Sequence, residues 1–303
     1  MDRVLWKTLT AATRRAARKV KCSVRKPEFS DYLIVTMYFW SVWHDRCMSW
    51  ACDKSHYGDL FRPRRLPSIS QFTRRVKTDS CQRILQLVHQ DLTAEHRNQP
   101  LMIFDGKPLP VSPVSKDRDA RSGHVRGGFA KGYKLHAVAT QTGRIILWSV
   151  MPLNVAEQTV AMELMAHVPH ATDFPTQPMT LADSNYDSSD LYAASARCGR
   201  QLLSPLKGQR RVKNGQHHPV TLRQMSPARR QSVQIWQMHA SLAQLLLKQR
   251  VAIERIFGTL TSFGGGLGPL PSWVRGLDRV RRWVGAKIIV YHVRLAVSER
   301  AAA

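Results

Sequence analysis

Two short apolar runs that each end in an aspartate constrain the fold more than any other feature of this sequence. The runs cover residues 100–105 and 179–183, and small or polar residues follow each of them. Such runs are typical of buried strands, and a carboxylate at their end emerges at the carboxyl edge of a sheet, where ligands bind in α/β proteins. We therefore expect an α/β fold with Asp105 and Asp183 at one edge of its sheet.

The residues beyond 100 alternate between strand-like and helical patterns. An antiparallel hairpin is predicted from strands at 132–139 and 144–150, which are joined by a turn at 140–143. The remaining predicted elements are a helix at 157–168, a strand at 201–205, a long helix at 231–260 and a final helix at 277–297. Helices on a sheet of this kind indicate a mixed α/β domain over residues 100–303.

The residues before 100 predict a helical region of their own. Residues 29–50 and 70–92 are apolar at helical spacing, and Ser30 is placed as an N-cap. A basic turn at 61–68 separates them, so residues 1–99 have the outline of a helix-turn-helix that reads DNA. A helical hairpin with a purely structural role has the same outline. The candidate DNA contacts in this region are Arg64, Arg65, Arg74 and Arg75.

The charge balance points to a polyanionic partner. Lysine and arginine total 46 against 21 aspartates and glutamates, which gives a net charge of +25. A compact chain gains nothing from such self-repulsion, whereas binding of phosphates releases counterions and adds affinity. A merely soluble basic surface is the alternative. An almost acid-free stretch at 207–230 concentrates the charge, as a DNA-binding insertion or a basic surface loop, and its candidate contacts include Arg210, Arg211 and Lys213.

Membrane insertion and a disulfide framework are both disfavoured. The most apolar run, residues 32–43, is about twelve residues long, whereas a spanning helix needs ~20. The five cysteines show neither an even framework nor the paired spacing of a structural zinc site. We expect reduced thiols in a cytoplasmic protein without a membrane partner.

A third acid completes a candidate metal site. Glu254 lies within the predicted long helix, one turn after Arg250. Three carboxylates from separate elements can bind Mg²⁺ or Mn²⁺, which prefer oxygen ligands. The alternatives are an Asx turn or helix cap for each aspartate, and an i,i+4 ion pair between Arg250 and Glu254. The spacing alone does not decide between these interpretations.

Four motifs, taken in order, resemble the catalytic blocks of bacterial insertion-sequence DDE transposases. They are DGKP at 105–108, GYKLH at 132–136, LADSNYDS at 181–188 and RVAIERIF at 250–257. The glutamate block departs from one version of the family pattern, because Leu247 and Thr261 stand where that version has Tyr and Lys. The DNA-end contacts and the hairpin intermediate of that version are therefore not carried over to this chain. The three acids match the family pattern.

The resemblance implies a ribonuclease H-like mixed sheet flanked by helices and preceded by the helical region. It implies a transposase that cleaves transposon ends and transfers the freed strand to target DNA, with Asp105, Asp183 and Glu254 binding two Mg²⁺ or Mn²⁺ ions. It also implies double-stranded DNA as partner, a homodimer in the active complex and association with the nucleoid. Lys107, Lys134 and Arg250 lie in the matching blocks, Lys131 directly precedes the second block, and all four are candidate DNA contacts.

Two other functions share these features. A structure-selective nuclease on the same fold would share the acids and the charge but lack strand transfer. A non-enzymatic DNA-binding protein derived from a transposase would have no use for three acids at a sheet edge.

The positive charge predicts a steep salt dependence of DNA binding. Six phosphate contacts would give a slope of about −5 in a plot of log affinity against log salt concentration. Fluorescence anisotropy with a duplex at several salt concentrations measures this slope. A flat response would mean that the charge serves a partner other than DNA.

Overall fold

The computed structural model describes residues 2–125, 127–171, 174–206, 225–262 and 266–302. The chain forms two compact units, one of Met1–Ala94 together with Thr259–Ala303 and the other of Glu95–Gly258. The predicted contacts Arg210, Arg211 and Lys213 lie outside the described residues. The domain boundary expected near residue 100 stays a prediction.

Ten α-helices lie within the described residues. They are α1 (Asp2–Arg18), α2 (Asp31–Trp43), α3 (Ile69–Arg75), α4 (Asp79–Thr93), α5 (Glu157–Met165), α6 (Ser189–Arg197), α7 (Pro227–Met238), α8 (Ala240–Lys248), α9 (Val251–Ser262) and α10 (Leu277–Ala302). None of these helices has the length and apolarity that a bilayer-spanning segment requires.

The first unit is a helical bundle built around α2. This helix is apolar on almost every side, as a helix surrounded by others must be, and α1, α3, α4 and α10 pack against it or against one another. Ser30 begins α2 as predicted, because its hydroxyl accepts a hydrogen bond from the Leu33 amide at 3.2 Å. The predicted helix at 70–92 is two helices, since Thr78 adopts extended φ and ψ angles before α4.

A buried ion pair stabilises this bundle. Arg75 donates a hydrogen bond to the Asp31 carboxylate, and both side chains are less than a tenth exposed. Burial raises the pKa of Asp31, but hydrogen bonds from Ser80, Cys22 and Arg75 outweigh it and hold that pKa below its usual value. The expectation that Arg75 contacts DNA is therefore corrected: its guanidinium is enclosed, and its charge compensates Asp31.

The second unit contains a six-stranded mixed sheet. Its strands are β1 (Leu101–Pro110), β2 (Arg121–Val125), β3 (Gly128–Thr140), β4 (Ile145–Pro152), β5 (Met179–Leu181) and β6 (Gln201–Leu203). The order is β2–β3–β1–β5–β6, with β4 also paired to β3. Strands β1, β3 and β4 are antiparallel neighbours, whereas β1, β5 and β6 run parallel. This is the ribonuclease H-like arrangement predicted above, with helices on both faces.

Each face of the sheet has its own apolar core. On one face, Met102, Phe104 and Val138 pack with side chains of α5 and α6. On the other face, Leu181 and Leu203 pack with Ala243 of α8. The sheet is therefore enclosed on both faces at its centre.

The predicted long helix at 231–260 is three helices, α7, α8 and α9. His239 interrupts it with φ −139° and ψ 48°, outside the helical region. A second break follows α8, where the amides of Gln249 and Arg250 bond to carbonyls only three residues back. Apolar periodicity continues across both breaks, which is why the sequence pattern alone does not reveal them.

We predict that Arg75→Ala destabilises the protein by about 3 kcal/mol, because Asp31 would remain buried and charged without its partner. The exposed neighbour Arg74 provides the matched control, and Arg74→Ala should change the free energy of unfolding by less than about 0.5 kcal/mol. Urea denaturation followed by circular dichroism measures both. Equal effects of the two substitutions would contradict the structural role of Arg75.

Candidate active site

Asp105 and Asp183 occupy equivalent positions on adjacent parallel strands. Leu101 of β1 pairs with Met179 of β5 and Ile103 pairs with Leu181, so the same register continued by two residues sets Asp105 opposite Asp183. Asp183 stands just beyond the end of β5, as the sequence predicts, whereas β1 continues past Asp105 to Pro110, so Asp105 lies within its strand at the point where the parallel pairing stops. The strand pairing that positions them belongs to the buried centre of the sheet, which makes their placement rigid.

Burial and neighbouring acids oppose the charge of Asp105. Desolvation raises its pKa to about 6, and the charges of Asp183 and Glu157 act in the same direction. Two interactions lower the pKa: the Gly106 amide donates to Asp105 Oδ1 at 2.7 Å, and the Arg250 guanidinium lies 3.4 Å from Oδ2. The pKa of Asp105 is raised overall because the loss of hydration on burial outweighs the hydrogen bond from Gly106 and the charge of Arg250.

Asp183 combines a local structural role with a clustered charge. Its Oδ1 accepts a hydrogen bond from the Asn185 amide at 2.7 Å and so caps a short 3₁₀ turn over Ser184–Tyr186. Burial raises the pKa of Asp183, and Glu157 raises it further. The Asx interpretation and the carboxylate-cluster interpretation are therefore both satisfied by this one side chain.

Glu157, at the start of α5, is a third acid beside the two aspartates, and our sequence analysis did not identify it. Its Oε1 lies 2.5 Å from Lys134 Nζ and 3.6 Å from where a Cβ on Gly106 would stand. Strand β4, which precedes α5, runs parallel to β1 because both are antiparallel to β3. The predicted hairpin alone does not reveal this position, because it follows only from the pairing of β3 with β1.

Glu254 lies in the first turn of α9 and is exposed. It follows Arg250 by one helical turn, and Arg250 contacts Asp105. Within the described residues, no group of three or more His, Cys, Asp or Glu side chains is gathered as a metal site. The expected convergence of Asp105, Asp183 and Glu254 thus stays a prediction.

Two buried polar side chains, those of His136 and Tyr186, feel the charge of the acids. Both ring nitrogens of His136 and the hydroxyl of Tyr186 have no hydrogen-bond partner among the described residues. Burial lowers the pKa of His136 to about 4, whereas burial and the charges of Glu157 and Asp105 raise the pKa of Tyr186. Buried polar atoms without a partner are uncommon, so this cluster has hydrogen-bonding capacity that a ligand or its water shell can use.

Asp187 and Arg229 have structural roles next to the site. The N-cap of α6 is Ser188, whose hydroxyl accepts a hydrogen bond from the Leu191 amide, so Asp187 is not the cap. Asp187 instead binds the Arg229 guanidinium through two hydrogen bonds of 3.0 and 2.9 Å. This bidentate pair ties the start of α7 to the segment that follows Asp183.

The predicted DNA contacts differ in their surroundings. Lys131 donates to the Ser115 carbonyl at 2.6 Å, and burial lowers the pKa of Lys107. Arg64 is exposed, whereas Arg65 pairs with Glu28 at 2.6 Å on the surface of the helical unit. These residues stay candidates for DNA contact, together with Lys134, Arg250 and Arg74.

In the absence of divalent ions, Asp105→Asn should stabilise the folded protein by about 1–3 kcal/mol at pH 7.5. A carboxyl with a raised pKa binds more protons when folded, so stability falls as pH rises from its ordinary pKa near 4 to about 6. The asparagine removes this loss, and its benefit should vanish below about pH 4. Thermal unfolding in EDTA across pH measures the difference, with the exposed Glu163→Gln as control. A gain that is independent of pH would contradict the assignment.

The comparison with known proteins agrees with this geometry. Residues 96–291 match the family model described as transposase DDE domain. No curated protein and no solved structure matches the chain significantly. The match covers the whole sheet, the three acids beside it and α9, and the resemblance inferred from the four motifs is confirmed. The chain belongs to the transposase DDE domain family and is a DDE-type transposase.

Proposed function

We propose that this protein cleaves DNA at transposon ends and joins the freed 3′ ends to target DNA. The observation that supports the proposal most directly is the position of Asp105 and Asp183, each two residues beyond the paired segment of the adjacent parallel strands β1 and β5, where burial and like charge raise the pKa of both. Carboxylates held together against their own repulsion are typical of a site that binds cations.

The donor set fits hard divalent cations, which the family generally uses. Carboxylate oxygens are the ligands that Mg²⁺ and Mn²⁺ prefer, and the unpartnered atoms of His136 and Tyr186 lie beside them. We propose that Asp105, Asp183 and Glu254 hold two such ions. When bound, the ions activate the attacking oxygen and stabilise the leaving oxygen of the phosphodiester.

Glu254 is preferred to Glu157 as the third ligand because of what each residue contacts. Glu157 is only 16% exposed and its charge is matched by Lys134 at 2.5 Å. Glu254 is exposed and lies in the first turn of α9, four residues after Arg250, which contacts Asp105. It can therefore approach the aspartates without first breaking a buried ion pair.

Two cations form ion pairs with acids of the site when no metal is bound. Arg250 compensates Asp105, and Lys134 compensates Glu157. Since a DNA phosphate is also an anion, we propose that Arg250 changes partner and contacts the phosphate once the carboxylates are satisfied. Its long N–O distance of 3.4 Å and 20% side-chain exposure make it the easier of the two to release.

Asp183→Asn should abolish cleavage while DNA binding survives. The substitution removes the charge but keeps the hydrogen bond that caps the 3₁₀ turn, because asparagine caps such turns as well. We expect cleavage to fall by several orders of magnitude, with binding unchanged or slightly tighter. The assay uses a labelled duplex carrying an end of the encoding element, with Mg²⁺, and follows cleavage and joining separately.

The same assay tests the third ligand. Glu254→Gln should be as inactive as Asp183→Asn, whereas Glu157→Gln should keep measurable cleavage. The reverse result would assign the third metal ligand to Glu157. Cleavage without joining would favour the nuclease alternative, and full cleavage by Asp183→Asn would overturn the proposed function.

A further inference from the structure

The hairpin formed by β2 and the first part of β3 carries an exposed aromatic pair at its tip. His124 and Phe129 are cross-strand partners with ring centroids 4.3 Å apart, and Phe129 is 74% exposed. In the turn between them, a Cβ added to Gly127 or Gly128 would meet no atom within 4 Å. Both glycines therefore face open space.

The base of the same hairpin is held closely against the rest of the sheet. A Cβ on Gly123 would stand 2.4 Å from the Leu153 carbonyl oxygen, and one on Gly132 would stand 2.4 Å from that of Leu109. The Leu153 amide also donates to the Gly132 carbonyl at 3.0 Å. Only glycine permits such close backbone contact, so the base is fixed while the tip stays accessible.

A basic pocket adjoins the aromatic pair on this hairpin. Four cations line it: Lys116, Arg118, Arg121 and Lys131. The carboxylate that also lines it, Asp117, is buried and accepts a hydrogen bond from the Tyr133 hydroxyl at 2.8 Å. The pocket therefore has an excess of positive charge, which suits a phosphate.

The register places the aromatic pair on the same face as two residues of the pocket lining, Ser122 and Lys131. Lys131 follows Phe129 by two residues, and side chains two apart along a strand share a face about 7 Å from each other. Ser122, the partner of Lys131, also lines the pocket. A single exposed phenylalanine needs no explanation, but a planar ring next to a cationic pocket combines the two surfaces that a nucleotide strand requires.

We propose that this hairpin binds locally unpaired DNA, with a base stacked on Phe129 and a neighbouring phosphate in the basic pocket. The inference rests on the proposed function in taking DNA as the ligand, but it concerns a surface separate from the carboxylates. Aromatic stacking is tolerant of sequence because every base has a π-face. The hairpin would thus favour a distorted or opened duplex over a fully paired one.

The test compares two 30-base-pair duplexes of the same arbitrary sequence, one fully paired and one with a central two-nucleotide bubble. Binding of the full-length protein is measured by fluorescence anisotropy in EDTA, so that no cleavage occurs. Phe129→Ala should weaken binding to the bubble about 5- to 150-fold and affect the paired duplex much less. Phe129→Trp should retain the preference.

Two further variants separate stacking from charge and from general surface effects. Met238→Ala, which removes an apolar side chain that is 72% exposed on α7, should leave both affinities unchanged. Arg118→Ala should weaken binding to both duplexes and reduce the salt slope by about one.

Three outcomes would overturn the inference: wild-type protein without a preference for the bubble, Phe129→Ala with wild-type affinity for it, or Phe129→Ala that alters only the oligomeric state in sedimentation. The last would make Phe129 a protein contact. Since binding in EDTA is independent of cleavage, failure here would leave the Asp183→Asn result standing. A cleavage experiment that failed would likewise leave the bubble preference intact.

Discussion

Repulsion between buried carboxylates is the constraint on which the unit of Glu95–Gly258 depends. Parallel pairing of β1 and β5 fixes Asp105 and Asp183 side by side, and Glu157 adds a third negative charge. Burial increases the free-energy cost of keeping these carboxylates charged, and for this reason the pKa of Asp105 is raised. The surrounding structure compensates with Arg250 and with Lys134, yet Asp105 keeps a pKa of about 6. A site with unmet negative charge is therefore built into the sheet itself, and divalent ions would relieve it.

The distribution of cations separates those that fold the protein from those available to DNA. Arg75 is buried and Arg229 is partly buried, and each forms an ion pair with a buried aspartate, so their charge is compensated within the structure. Other cations lie at the surface, including Arg74 and Arg118. A net charge of +25 thus overstates the charge that a DNA partner meets, although the excess is large enough to leave a strongly basic exterior.

Local patterns were sufficient to predict the elements that carry the first two acids. Short apolar runs that end at Asp105 and Asp183 are typical of buried strands, and their length is too short for a buried helix. The same patterns failed where the chain bends without losing its apolar period. The breaks at His239 and at 249–250 divide one predicted helix into three, and neither break contains a glycine or a proline.

By itself, the sequence determined the α/β class, the position of Asp183 just beyond a strand, the cap at Ser30 and the transposase DDE family, since all of these follow from residue type and short-range spacing. Tertiary structure alone decided that Glu157 joins the aspartates and that Arg75 is buried. Both depend on which distant elements meet: α5 follows a strand parallel to β1, and α3 lies against α2. Residue spacing along the chain does not show these long-range contacts, because they depend on how the strands pair and how the helices pack.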